Sequence, residues 1–70
     1  MKKSNNIKLI RKKLGLSQSE FASLIEVSQS NVSHYERGNQ RVPQDIASKV
    51  IGLASERGIN LSFDDIYIAG

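Results

Sequence analysis

The chain has 70 residues, with ten Lys and Arg against seven Asp and Glu, no Cys and a net charge of +3. That length holds one domain, residues 1–70, and leaves no room for a deep substrate cavity or a second, ligand-sensing domain. The lack of Cys excludes disulfides and thiolate metal sites, and no apolar run approaches the roughly 18 residues that span a bilayer.

Met1 to Asn5 reads as a flexible arm, basic through Lys2 and Lys3. No apolar stretch of the signal-peptide kind follows it, so a soluble, cytoplasmic protein is expected. Ile7, Ile10 and Leu14 recur at helical spacing. With Asn5 or Asn6 as cap and Gly15 as stop, the first helix spans about Asn6 to Leu14. Ser17-Gln18-Ser19-Glu20 has the form of a capping box, in which hydroxyl and carboxylate each satisfy the other residue's backbone N–H. The second helix then covers about Gln18 to Ile25, with Phe21, Ala22 and Ile25 inward. Ser28 caps a third helix over roughly Gln29 to Arg37; Val32 and Tyr35 face inward and Gly38 ends it. Asn39 to Val42 form a loop. Pro43 suits the first turn of a fourth helix, because its missing N–H has no partner there. Ile46, Ala47, Val50, Ile51 and Ala54 carry that helix to about Arg57 and Gly58. Ser62 with Asp65 can cap a short last helix holding Phe63, Ile66 and Tyr67. No strand pattern, repeat or linker interrupts this all-helical reading.

The second and third helices are separated only by Glu26 to Ser28. So tight a connection makes them cross steeply, as in a helix-turn-helix. That crossing needs a small residue at the contact, Ala22, an apolar residue in the turn, Val27, and a branched apolar residue ten positions after the first, Val32. Charge is distributed to match. Residues 1–44 hold eight basic and three acidic side chains, a balance of +5, whereas residues 45–70 hold two and four, a balance of −2. A basic body with an acidic tail suggests a polyanionic partner.

The stretch from Arg11 to Ala22 (RKKLGLSQSEFA), then Val27 to Ser33 (VSQSNVS) and Tyr35 to Gly38 (YERG), resembles the lambdoid phage Cro and repressor family, also called the XRE-type helix-turn-helix family. The likeness covers about residues 7 to 54. It implies a compact five-helix, lambda-repressor-like domain that binds operator DNA as a homodimer, in a bacterial cytoplasm or nucleoid. It also implies residue roles. Gln29, Ser30 and His34 fall at base-reading positions, with Asn31 and Ser33 close to bases or phosphates. Gln18, Ser28, Arg37, Asn39, Gln40 and Arg41 fall at phosphate-contacting positions. Arg11 and Glu36 correspond to an ion pair that holds the Arg over the DNA backbone. Chemistry agrees with these roles. A Gln amide can pair with adenine N7 and N6, worth about 1–3 kcal/mol of discrimination. Gln18 stands where helix N–H groups favour an anion, and a basic loop adds affinity through counterion release. One position departs from the family, which usually has Gly at the first turn residue. Here it is Glu26, and a left-handed non-Gly residue costs roughly 1–2 kcal/mol.

A single His without Cys makes a metal role for His34 improbable. Tyr35 and Phe21 have core spacing. Arg11 alone would be an exposed charge worth at most about 1 kcal/mol. Asp64 and Asp65 are adjacent, so they cannot form a catalytic pair on one helix face. An enzyme is disfavoured, since His34 and the nearby Ser residues share one short helix with no orienting acid. No cofactor, metal, membrane or small-molecule ligand is expected. At this length the chain resembles a Cro more than a full phage repressor. An antitoxin-type regulator is the alternative within the class. A protein-interaction module that has lost DNA binding is the alternative outside it, disfavoured by the polar third helix flanked by Arg37 and Arg41. The dimer surface is expected around Ile59 to Ile68.

Overall fold

A computed structural model describes residues 5–67. Five helices follow one another, α1 Ile7–Lys13, α2 Gln18–Leu24, α3 Gln29–Arg37, α4 Gln44–Glu56 and α5 Phe63–Tyr67, and no strand occurs among the described residues. Each helix buries a stripe, and the stripes meet in one core. Ile7 and Ile10 come from α1, Phe21 and Ala22 from α2, Val32 and Tyr35 from α3, Ile46, Ala47, Val50 and Leu53 from α4, and Ile66 from α5. Two loop residues, Ile25 and Val42, complete it.

The first four helices stop in the same way. In each, the N–H two residues beyond the last turn reaches back five residues and the preceding N–H closes a shorter bond, the Schellman arrangement. The long bonds are Leu16 N–H to Arg11 O, Val27 N–H to Ala22 O, Asn39 N–H to His34 O and Ile59 N–H to Ala54 O. This stop requires one left-handed residue. Gly supplies it after α1, α3 and α4, but after α2 it is Glu26, with φ of 64°. The turn between α2 and α3 therefore keeps its geometry at the expense of backbone strain. A 2.8 Å ion pair from Lys49 on α4 holds the Glu26 carboxylate, and both side chains are largely exposed, so the pair offsets little of that strain. Replacing Glu26 with Gly should raise stability by about 0.5 kcal/mol, since relief of the left-handed backbone outweighs the added chain entropy and the lost ion pair. A melting temperature about 3 °C higher is the expected reading; a lower one would show that the Lys49 contact dominates.

Asn6, one of the two cap candidates, is the N-cap of α1, and Leu14 is its C-cap. Two helix starts differ from the sequence reading. Pro43 is the N-cap of α4, with ψ of 153°, and not a first-turn residue. A proline φ near −65° suits either position, and only ψ separates them. The second difference is Asn5, the last residue of the expected arm and also a cap candidate; it is buried, with 6% exposure. Its Oδ1 accepts from Ile7 N–H, which caps α1, and its Nδ2 donates to Tyr35 O at the end of α3. The rest of the expected arm, with Lys2 and Lys3, lies outside the described residues. Ser17 and Glu20 do form the capping box, and Ser28 caps α3 through Asn31 N–H. Ser62 and Asp65 exchange the equivalent bonds at the start of α5.

Candidate nucleic-acid interface

The packing of α2 on α3 fixes what α3 can show. Val32 and Tyr35 point into the core, so the remaining side of the helix must face out. Gln29 and Ser30 on its first turn are exposed; Asn31, Ser33 and His34 are half-buried; Arg37 is exposed at its end. Beyond Gly38, Asn39, Gln40 and Arg41 form an exposed loop that joins Arg37 to make a basic rim. Ser28 is exposed, and its hydroxyl oxygen is already an acceptor for Asn31 N–H at 3.1 Å, leaving its O–H as a donor.

The one acidic residue of α3, Glu36, is withdrawn from this surface. Its side chain is 4% exposed. Arg11 on α1 approaches it with two donors, Nε to Oε2 at 2.6 Å and Nη2 to Oε1 at 3.2 Å. Gln18, at the start of α2, donates from Nε2 to Oε1 at 3.0 Å. Burial would push the Glu36 carboxyl up. Hydrogen bonds from Arg11 and Gln18, with the charges of Arg11 and Lys8, outweigh burial and hold it below the ordinary carboxylate range. The pair is thus a three-helix clamp that neutralises the only negative charge of α3. Arg11 also donates from Nη1 to Leu16 O at 2.9 Å, and its side chain is only 12% exposed. Three of its five N–H groups are therefore committed within the protein. Residue spacing alone gave no sign of the Leu16 or Gln18 contacts, because both depend on how α1 lies across the α2–α3 unit.

Two further polar contacts went unnoticed in the sequence. Asn5 ties the end of α3 to the start of α1, as described. Tyr67 on α5 donates its hydroxyl to Val42 O at 2.8 Å, at the far end of the 39–42 loop. A partly buried Tyr whose O–H needs a partner was the available signal. Among the described residues, no group of three His, Cys, Asp or Glu residues could hold a metal, and no helix is long and apolar enough to cross a membrane.

The packing of α2 on α3 across a short turn, a polar outward face on α3 and a cationic rim define a helix-turn-helix DNA-binding module. A family model described as helix-turn-helix, of the XRE type, matches residues 7–52, which takes in α1 to α3 and most of α4. The chain belongs to that family of DNA-binding regulators. No curated protein matches the chain.

Proposed function

We propose that this protein is a transcriptional repressor of the Cro type that occupies operator DNA as a homodimer, with α3 in the major groove. The observation that carries this reading is the face of α3 itself. Gln29 and Ser30 stand clear, and Glu36, which would repel phosphate, is locked away by Arg11 and Gln18. In this reading Gln29, Ser30, Asn31, Ser33 and His34 read bases. Ser28, Gln18, Arg37, Asn39, Gln40 and Arg41 hold phosphates, joined by the N–H groups of Arg11 that Glu36 and Leu16 leave unused. The dimer forms around Ile59 to Tyr67, with Ile68 of the expected surface outside the described residues. An open cleft of about 370 Å³ lined by Leu9, Ile59 and Leu61 supports this, since Leu9 is 58% exposed and would gain from cover.

Selection of binding sites from random DNA tests the whole reading. Two symmetric half-sites centred roughly 34 Å apart are expected; a lone half-site would remove the dimer, and no enriched site would remove operator recognition. On the selected site, Gln29→Ala should lose about 1–3 kcal/mol of discrimination while nonspecific binding changes little. An equal loss on every DNA sequence would contradict base reading by Gln29.

A further inference from the structure

The loop that carries Asn39, Gln40 and Arg41 is held at two points. At its start, Gly38 and Asn39 N–H groups bond to Tyr35 O and His34 O, so the loop leaves α3 on a fixed path. At its end, the Val42 side chain is buried at 2% exposure. Its carbonyl accepts from the Tyr67 hydroxyl, while the α4 ladder begins one residue later, with Ala47 N–H to Pro43 O. Behind the loop lies an open cleft of about 370 Å³ lined by Asn5, Gly38, Arg41, Val42 and Tyr67. Packing therefore does not back Arg41. Discrete bonds at the ends of the loop set its path.

Tyr67 is itself firmly placed. The α5 turn that bears it is anchored by Ile66, which is fully buried. Asn6 N–H donates to Ile66 O and Asn6 Nδ2 to Asp65 O, both at 2.9 Å. The hydroxyl thus comes from an element fixed to α1 and not from the loop's own neighbours.

We propose that Tyr67 is a positioning residue for DNA binding: its hydroxyl bond to Val42 O holds the 39–42 loop so that Arg41 and its neighbours meet the phosphate backbone. This rests on the DNA-binding reading above and adds to it a residue on α5 that touches no DNA. The effect is sequence-independent, since phosphate contacts position the protein without reading bases.

Tyr67→Phe removes the O–H and keeps the ring. In the free protein, exchange of the Asn39 amide, the loop N–H that donates to His34 O, should accelerate about fivefold, the scale of one net hydrogen bond, while amides of α2 stay as in the parent. Binding to operator and to random DNA should weaken equally, by about fivefold. The slope of log affinity against log salt should flatten by about 0.9, as for one lost phosphate contact. On an Arg41→Ala background the same change should weaken binding less than about twofold, because its target is already gone. Unchanged exchange in the loop of the free variant overturns the proposal without reference to DNA. Faster exchange with an unchanged salt slope overturns it as well, by leaving Tyr67 a purely structural role. A parent protein with no salt-dependent DNA binding would instead sink the reading beneath it, and the parent titration alone reveals that.

Discussion

Replacing Arg11 with Met is expected to cost about 3 kcal/mol of stability, because it strands a buried carboxylate. The Glu36 side chain is 4% exposed and takes two of its three hydrogen bonds from Arg11. Much of the loss should return when Glu36 is replaced by Leu in the same chain, since exchanging both partners of a buried pair for apolar groups is often close to neutral. The dependence on pH gives the sharper test. In the parent, the Glu36 carboxyl is held below its ordinary value of about 4.3. A depressed folded value adds stability that is fully present above the unfolded value and is lost as pH falls through the folded one. Without Arg11, only the Gln18 hydrogen bond and the Lys8 charge remain to oppose burial, so the carboxyl rises from its parent position. The variant then loses less stability than the parent as pH falls from neutral. Urea titrations of both proteins across that range would show the two stability curves converging toward acid; parallel curves would mean that Glu36 does not govern the clamp.

Replacing Ile66 with Ala should remove about 3 kcal/mol, the usual range for a buried Ile. A domain of this size has on the order of 4–10 kcal/mol in total, so a large share of the fold's stability rests on one side chain of a five-residue helix. So short a helix does not persist alone. Ile66 is the only buried residue of α5, and its backbone is where Asn6 attaches. Phe63, on the same helix but 39% exposed, serves as the contrast; its replacement by Ala should stay within about 0.5 kcal/mol. Equal losses from the two substitutions in thermal melts would show that α5 is not anchored through Ile66.

The α3 boundaries were legible because their signals are local. Ser28 accepts from an N–H three residues away and Gly38 supplies a left-handed residue, so both ends are written within one turn of the helix. The α2 capping box and the stop after α4 were readable for the same reason. Pro43 was misplaced by one position because its ring fixes φ and says nothing about ψ. Asn5 was legible as a cap for α1 but not as a tie to α3. Its amide bonds to a carbonyl 30 residues ahead, and no periodicity or cap rule reaches that far. The site divides along the same line. The outward face of α3 follows from where Val32 and Tyr35 must point, whereas the withdrawal of Glu36 needs α1, α2 and α3 assembled together. Likeness of motif paired Arg11 with Glu36, but not with Leu16 or Gln18, whose contacts depend on the crossing of the helices.

The bonds from Asn6 to Asp65 and Ile66 join positions about sixty residues apart. Closing such a ring carries an entropy that nearby pairs do not face. The five-residue helix that closes it stays docked through Ile66, so loss of that one side chain would open the ring while the rest of the core stayed packed. Fraying there would free Tyr67 and slacken the far rim of the recognition surface while α2 and α3 stayed packed. On the proposed function, that closure would bear on the hold on phosphate and leave base reading untouched.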